Sequence, residues 1–347
     1  MPSLSSRPNI SVTVHTTAGD FLSVALETLM QKEEQSNIVL ALALKAQRKE
    51  QELSSGTGGQ RNLWLCVWTT RASHRSPTIR SSLDFVFALN DNSFGGYPLF
   101  IWSNYPSGDL TPAFLEHRVQ IAATRLHQLI PSERIFSVFG LVPAVWAFQA
   151  IWTHISGKIP EAVPFYAAKF SYCTKVSLQP ATSRLPHGDS VRAAGMKDLD
   201  QVAMLCREFS QDSEFPLGGE ESIMQALDLI REKRIWVYET LDVRNRPRIA
   251  SMVASSRTSA NVAAITKVYT TPAFRGRHYA RYLVQWVTQH LLYNEGKDSV
   301  TLYVSHGNPA EKVYHQVGYV GLCGTPRSVM VEDWLEIGFQ GTLRGHW

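Results

Sequence analysis

Cysteine is scarce. Cys66, Cys173, Cys206 and Cys323 stand far apart in the 347 residues, with no CxxC pair and no histidine at ligand spacing. That excludes a zinc site and leaves thiols in apolar stretches, which read as small buried hydrophobes in a reduced core. Excess charge is lacking as well: 34 Lys+Arg against 30 Asp+Glu leave a formal net charge of +4. This is too weak and too dispersed for a surface that tracks nucleic-acid phosphates. No run reaches the ~20 apolar residues that cross a bilayer. The longest, Ile135 to Trp152, contains Ser137, Gly140, Pro143 and Gln149 and reads as a strand followed by a buried helix opened by Pro143. Met1 to Pro8 lacks the apolar core of a signal peptide. The expectation is a cytoplasmic, reducing setting without metal, membrane or nucleic-acid partners.

What is present is apolar mass, 44% hydrophobic and 10% aromatic residues, enough for two ordinary domains. Ala18 to Lys49 reads as a helix pair. Strand-like runs follow at Asn62 to Thr69, Leu83 to Leu89 and Tyr97 to Trp102. Thr111 and Pro112 open a helix that runs to about Leu129. Ile135 to Val142, Pro143 to Ser156 and Phe165 to Leu178 continue as strand, helix and strand. The glycines of Glu52 to Gln60 read as a plain loop, because no strand precedes them and no Lys-Ser/Thr helix start follows.

The polar, aperiodic Gln179 to Gly188 is the best boundary in the chain. It divides the chain into domains 1–182 and 188–347. Beyond it the order begins again: strand 190–194, helices 198–209 and 219–233, strands 235–239, 249–256 and 262–270, helix 276–292, strand 299–304 and a short helix ending near Gln316. Terminal strands are expected near Tyr319 to Cys323 and Ser328 to Val331. The fold class is therefore α/β (α+β), two mixed sheets flanked by helices in tandem.

The chemistry concentrates between Lys267 and Val284. A strand runs through a proline-containing turn into a helix whose buried face is Tyr279, Leu283, Trp286, Val287 and Leu291. Backbone N–H groups, the helix dipole and Arg275, Arg277 and Arg281 converge at its start, a site suited to an anion such as a pyrophosphate. A solvated basic helix start with ordinary capping is the alternative.

This segment resembles the acyl-CoA-binding motif of the GCN5-related N-acetyltransferase (GNAT) superfamily, Gln/Arg-x-x-Gly-x-Gly/Ala, which stands here as Arg275-Gly-Arg-His278-Tyr-Ala280. The longer string Val268 to Ala280 is similar to a form common in one subgroup. Downstream, Leu302 to Tyr319 resembles the superfamily's second signature, a strand, an Asn-containing turn and a short helix ending Tyr-x-x-x-Gly-Phe/Tyr. The first half looks like the divergent GNAT-like half of two-part members and has no Arg-x-x-Gly-x-Ala motif.

The resemblance implies an acyltransferase using acetyl-CoA or another acyl-CoA. In this reading the strand Thr266 to Thr270 splays from Ser299 to Val304, so that Val268, Tyr269 and Thr270 receive the pantetheine arm. Arg275, Gly276, Arg277, His278, Tyr279 and Ala280 hold the pyrophosphate. Tyr314 becomes the general acid that protonates the departing thiolate, a sensible pairing for a phenol with a pKa near 10. His278 replaces a glycine of the pattern and must take unusual backbone angles. Asn308 is expected on the cofactor arm, although its spacing from Tyr314 is one residue short of the commonest form and Gly307 competes for that place.

The general base is not fixed by the motif: His306 has the titration range, and Asp212, Glu214 and Glu239 are further candidates. The expected reaction is direct attack by the amine of a small-molecule acceptor, with no covalent enzyme intermediate. A non-catalytic acyl-CoA-binding or regulatory protein, or an O-acyltransferase, are the alternatives.

Overall fold

The structure is a computed structural model that describes residues 9–52, 62–72, 79–92, 95–180, 185–343 and 345. The N-terminal segment 1–8, most of the glycine-containing loop at 52–60, and residues 181–184 of the expected boundary lie outside these. In chain order the elements are β1 (Asn9–His15), α1 (Ala18–Met30), α2 (Glu33–Glu52), β2 (Leu63–Ala72), β3 (Ile79–Leu89), β4 (Asp91–Asn92), β5 (Gly95–Gly96), β6 (Leu99–Ser103), α3 (Pro112–Leu129), β7 (Ser137–Leu141), α4 (Val142–Ser156) and β8 (Tyr166–Thr174). There follow β9 (Ser190–Ala193), α5 (Leu199–Ser210), α6 (Gly219–Arg231), β10 (Ile235–Leu241), β11 (Pro247–Ala254), β12 (Arg257–Thr258), β13 (Val262–Ala264), β14 (Lys267–Thr270), α7 (Tyr279–Gln289), β15 (Ser299–Ser305), α8 (Ala310–Val317) and β16 (Asp333–Gly338).

Packing divides the chain into two compact units, residues 1–167 with 332–347 and residues 168–331. The division differs from the one at 182–188 because strand pairing acts over long sequence separations. Most of β8 lies in the second unit, where it pairs antiparallel with β15, and β16 returns to the first unit to pair antiparallel with β7.

In the first unit the strand order is β1-β2-β3-β6-β7-β16, antiparallel except for the parallel step from β6 to β7. Leu63 to Val67 and Phe85 to Leu89 are buried without alternation, the pattern of strands covered on both faces. Thr111 caps α3 by accepting from the Phe114 N–H, with Pro112 at the first helical position, and Gly157 ends α4 at φ +70°. β1 is an element not expected from the sequence. Asp84 is fully buried on β3 and accepts from Arg118 Nε at 2.7 Å and from the Tyr105 hydroxyl at 3.1 Å.

In the second unit one sheet runs β14-β11-β10-β9 and a second grouping runs β8-β15-β13-β12. Alternate residues of β10 serve two cores. Trp236 and Tyr238 pack with Leu283 and Val287 of α7, whereas Ile235 and Val237 pack with Val202 and Cys206 of α5 and Ala226 of α6. Strands expected at 319–323 and 328–331 are turns instead. Gly321, Cys323 and Gly324 have φ of +72°, +53° and +78°, angles that no strand contains. Cys323 is correspondingly exposed, and only Cys66, Cys173 and Cys206 are buried as core thiols. Burial pushes Cys66 up to about 12, and Cys173 and Cys206 up to about 11, so these thiols stay protonated.

Candidate functional site

The single strand expected over 262–270 is two. Val262 to Ala264 pair parallel with Ser299 to Thr301 of β15, after which the Ile265 N–H donates to the Thr301 carbonyl at 2.9 Å. One residue later the Thr266 N–H donates to Ala254 at 2.8 Å, and Lys267 to Thr270 pair antiparallel with β11. The backbone thus changes partner between two consecutive residues. β14 becomes the edge strand of its sheet, and the end of β15 beyond Thr301 pairs with β8 alone. An edge strand presents unpaired N–H and C=O groups, and this one borders an opening between β14 and β15.

The side chains of β14 alternate. Val268 packs into the core of α7, while Tyr269 packs against α5, where Phe209 meets its ring at 6.4 Å. Thr270 donates its hydroxyl to Ser251 Oγ, and Ser251 in turn donates to the Tyr269 carbonyl, both at 2.9 Å.

Beyond β14 the chain turns at Pro272–Phe274 and enters α7. Gly276 has φ +78° with nothing within 4 Å of a Cβ built on it, and His278, the residue before the helix, has φ +64°. His278 therefore takes the left-handed conformation that glycine supplies in the motif, and its side chain escapes a clash by being exposed. No side chain caps α7, and its first-turn N–H groups have no intrahelical acceptor. Arg275 donates Nε to the Thr270 carbonyl at 3.0 Å and sits 5.5 Å from the Tyr269 ring, and Arg277 lies 5.6 Å from the Phe274 ring. Arg275, Gly276, Arg277 and His278 are exposed together at this helix start.

Tyr279 contributes backbone to this turn, but its side chain belongs to the core. It is 8% exposed and stacks on Tyr238 at 4.2 Å. Ala280 follows it in the first turn of the helix. Tyr314 on α8 is 7% exposed and meets Tyr319 at 5.9 Å, in the same core that receives Val268 and Val304 from the two strands of the opening.

Asn308 is exposed just before α8, where its Oδ1 accepts the Ala310 N–H at 2.9 Å, and Gly307 beside it has φ +76°. His306 is exposed in the turn after β15, near Glu311. Hydrogen bonding from Lys169, at 2.8 Å, holds the Glu311 carboxyl below the usual range. Of the other base candidates, Asp212 and Glu214 are exposed between α5 and α6, and Glu239 is paired with Arg192, which also holds Asp198 at 2.6 Å.

Glu208, in the last turn of α5, lies next to Tyr269. A lone glutamate in an amphipathic helix carries no signal by itself. Among the described residues no group of three His, Cys, Asp or Glu side chains is arranged to hold a metal, and no helix is long and apolar enough to cross a membrane.

Residues 243–327 match the family described as FR47-like protein. No match is found among curated proteins. Among solved structures, a tandem GNAT protein from the clavulanic acid biosynthesis pathway is similar over 97% of this chain and 100% of its own, at 13% identity and a TM-score of 0.52. A Drosophila protein is similar over 94% of this chain and 99% of its own, at 12% identity and a TM-score of 0.60. At these identities the likeness is one of fold.

Proposed function

The chain has the two-part fold of the GCN5-related N-acetyltransferases, with an FR47-like segment in its second unit, and on that premise we propose that it is an acyltransferase carrying acetyl from acetyl-CoA to an amine of a small molecule. The observation that carries this reading is the opening between β14 and β15, with the uncapped, arginine-bearing start of α7 at the end of β14. The first unit, which lacks the motif, is in this reading a divergent half without a cofactor site.

The residues present suit acetyl-CoA. Two left-handed positions, Gly276 and His278, bend the backbone before an uncapped helix, and Arg275 and Arg277 lie exposed beside it. Such a start favours a diphosphate through N–H donors, helix dipole and guanidinium charge together. The β14 edge, from Val268 to Thr270, supplies backbone groups for the amides of an extended arm. When bound, acetyl-CoA supplies an activated thioester.

The chain's own part is positioning. The opening brings an acceptor nitrogen to the thioester carbonyl, worth several powers of ten in rate when the geometry is held. As the acceptor nitrogen bonds to the carbonyl carbon and the carbon–sulfur bond breaks, Tyr314 would donate its phenolic proton to the sulfur and regain one from the proton the nitrogen gives up. The burial of Tyr314 favours a second reading, a protein that binds acyl-CoA without turnover, in which the phenol only packs α8. An O-acyltransferase on the same frame differs only in its acceptor.

Calorimetric titration with acetyl-CoA, followed by a thiol-release assay over amines and alcohols, separates the three. Saturable binding with release driven by amines supports the proposal. Release with alcohols alone favours O-acyl transfer, and binding without release favours the binding protein.

A further inference from the structure

Two cations flank the opening. Lys267 is the first residue of β14, and its half-buried side chain turns toward α5, with Nζ 5.0 Å from the Phe209 ring. Arg257 of β12 stands in register with Ala264 of β13, which is in register with Thr301 of β15, so Arg257 and Thr301 share one face of these strands. The Arg257 guanidinium reaches to 5.6 Å from the ring of Tyr303, which stands on the stretch of β15 beyond Thr301 that borders the opening.

The two charges act on each other. Burial holds the Lys267 amine below its usual range, Cys206 works against this, and the like charge of Arg257 adds to it. Among the described residues no Asp or Glu forms an ion pair with Lys267. Thr301, on the face that Arg257 shares, is 1% exposed, and its Oγ1 has no hydrogen-bond partner, although buried hydroxyls as a rule find one. Two neighbouring cations and an unused hydroxyl form a set that an anion completes.

Resting on the acyltransferase reading above, we propose that Arg257 and Lys267 bind a carboxylate carried by one of the two substrates, either on the acceptor or on the acyl group of the thioester. The carboxylate takes charge-assisted hydrogen bonds from the guanidinium and the ammonium. Its negative charge offsets the repulsion between the two cations, so Lys267 takes up a proton from solvent as the ligand enters. An arm laid along the β14 edge from the start of α7 ends at Lys267, the residue of β14 farthest along the chain from Arg275. The thioester end of such an arm therefore lies beside the pair, where a carboxylate on either reactant is within reach. Both residues position a substrate, and neither takes part in bond making.

The test uses the full chain and reads thiol release in two arms. One arm compares L-alanine with ethylamine, which differ by the carboxylate, with acetyl-CoA as donor. The other compares succinyl-CoA with acetyl-CoA, with ethylamine as acceptor. In one arm the wild type is expected to prefer the carboxylate-bearing probe in kcat/KM, and that arm names the source of the carboxylate. Arg257→Met is expected to lower this preference about tenfold or more through KM, the loss of one charged hydrogen bond. It should leave turnover of ethylamine with acetyl-CoA and the thermal midpoint unchanged, and Arg257→Lys should recover part of the preference. Lys267→Met should raise KM for the preferred probe in the same way. The intrinsic reactivity of each probe is the same in every variant, so the change in preference reads the site. No preference in either arm, or a preference that either Met variant leaves unchanged, overturns the inference and leaves acyl transfer intact. If these probes fail while other amines drive thiol release, the inference alone falls. If no amine drives release, the acyltransferase reading falls with it.

Discussion

Ile265 and Thr266 are adjacent in the chain and hydrogen-bonded to different strands, Ile265 to Thr301 of β15 and Thr266 to Ala254 of β11. That one change of partner creates the opening on which the proposed chemistry depends. It also leaves the β14 edge without a strand partner on the side facing β15. The predictions below follow from the opening, from the helix start at the end of β14, and from the buried contacts that hold each unit.

Arg277 lies exposed at the start of α7. Arg277→Ala is expected to weaken acetyl-CoA binding about tenfold, the loss of one charged hydrogen bond to a phosphate, without moving the thermal midpoint. Calorimetric titration beside a melting curve checks both halves.

His278 occupies a left-handed position at φ +64°, which costs a residue with a Cβ roughly 1–2 kcal/mol. His278→Gly relieves that strain but gains freedom in the unfolded chain, so a net stabilisation of up to about 1 kcal/mol is expected. His278→Val, β-branched, should destabilise and should also weaken acetyl-CoA binding by distorting the turn. Urea unfolding of the three proteins orders them.

Tyr314→Phe keeps the ring against Tyr319 and removes only the hydroxyl. If the phenol is the acid, kcat falls by about 10²-fold or more while acetyl-CoA affinity holds. An unchanged kcat assigns Tyr314 to packing.

Glu311 is held below the usual carboxylate range by Lys169. A depressed pKa in the folded state means that its stabilising contribution is fully present above the unfolded value, about 4.3, and is lost as pH falls below that value through the lower folded one. Glu311→Gln should therefore be less stable than wild type at pH 7, and the two should converge between about pH 5 and pH 3. A difference in stability that stays constant over that range contradicts the assignment.

In the first unit, Asp84 and Arg118 form a buried pair at 2.7 Å that Tyr105 also joins. Removing one partner strands the other charge, so Arg118→Ala should cost about 3–5 kcal/mol. Hydrogen exchange should report the loss in α3 and β3, the helix and strand the pair ties together.

Much of this was legible in the sequence, and the failures have physical causes. The Thr111-Pro112 helix start is a local signal, and local signals survive folding. The span 262–270 is apolar enough to read as one strand, because composition does not say which neighbour each half will choose. β1 is weakly signalled although Ile10, Val12 and Val14 alternate, because the run is short and lies beside a polar N-terminal stretch. The false strands near 319–331 have strand-like residues, but the left-handed angles at Gly321, Cys323 and Gly324 close turns there.

The central claim is that residues 275–280 and the β14 edge receive acetyl-CoA. Amide hydrogen exchange of the full chain, with and without saturating acetyl-CoA, tests it most directly. Protection concentrated at Gly276 to Ala280 and Lys267 to Thr270 is the expected result. No binding, or protection that spares both segments, contradicts the account.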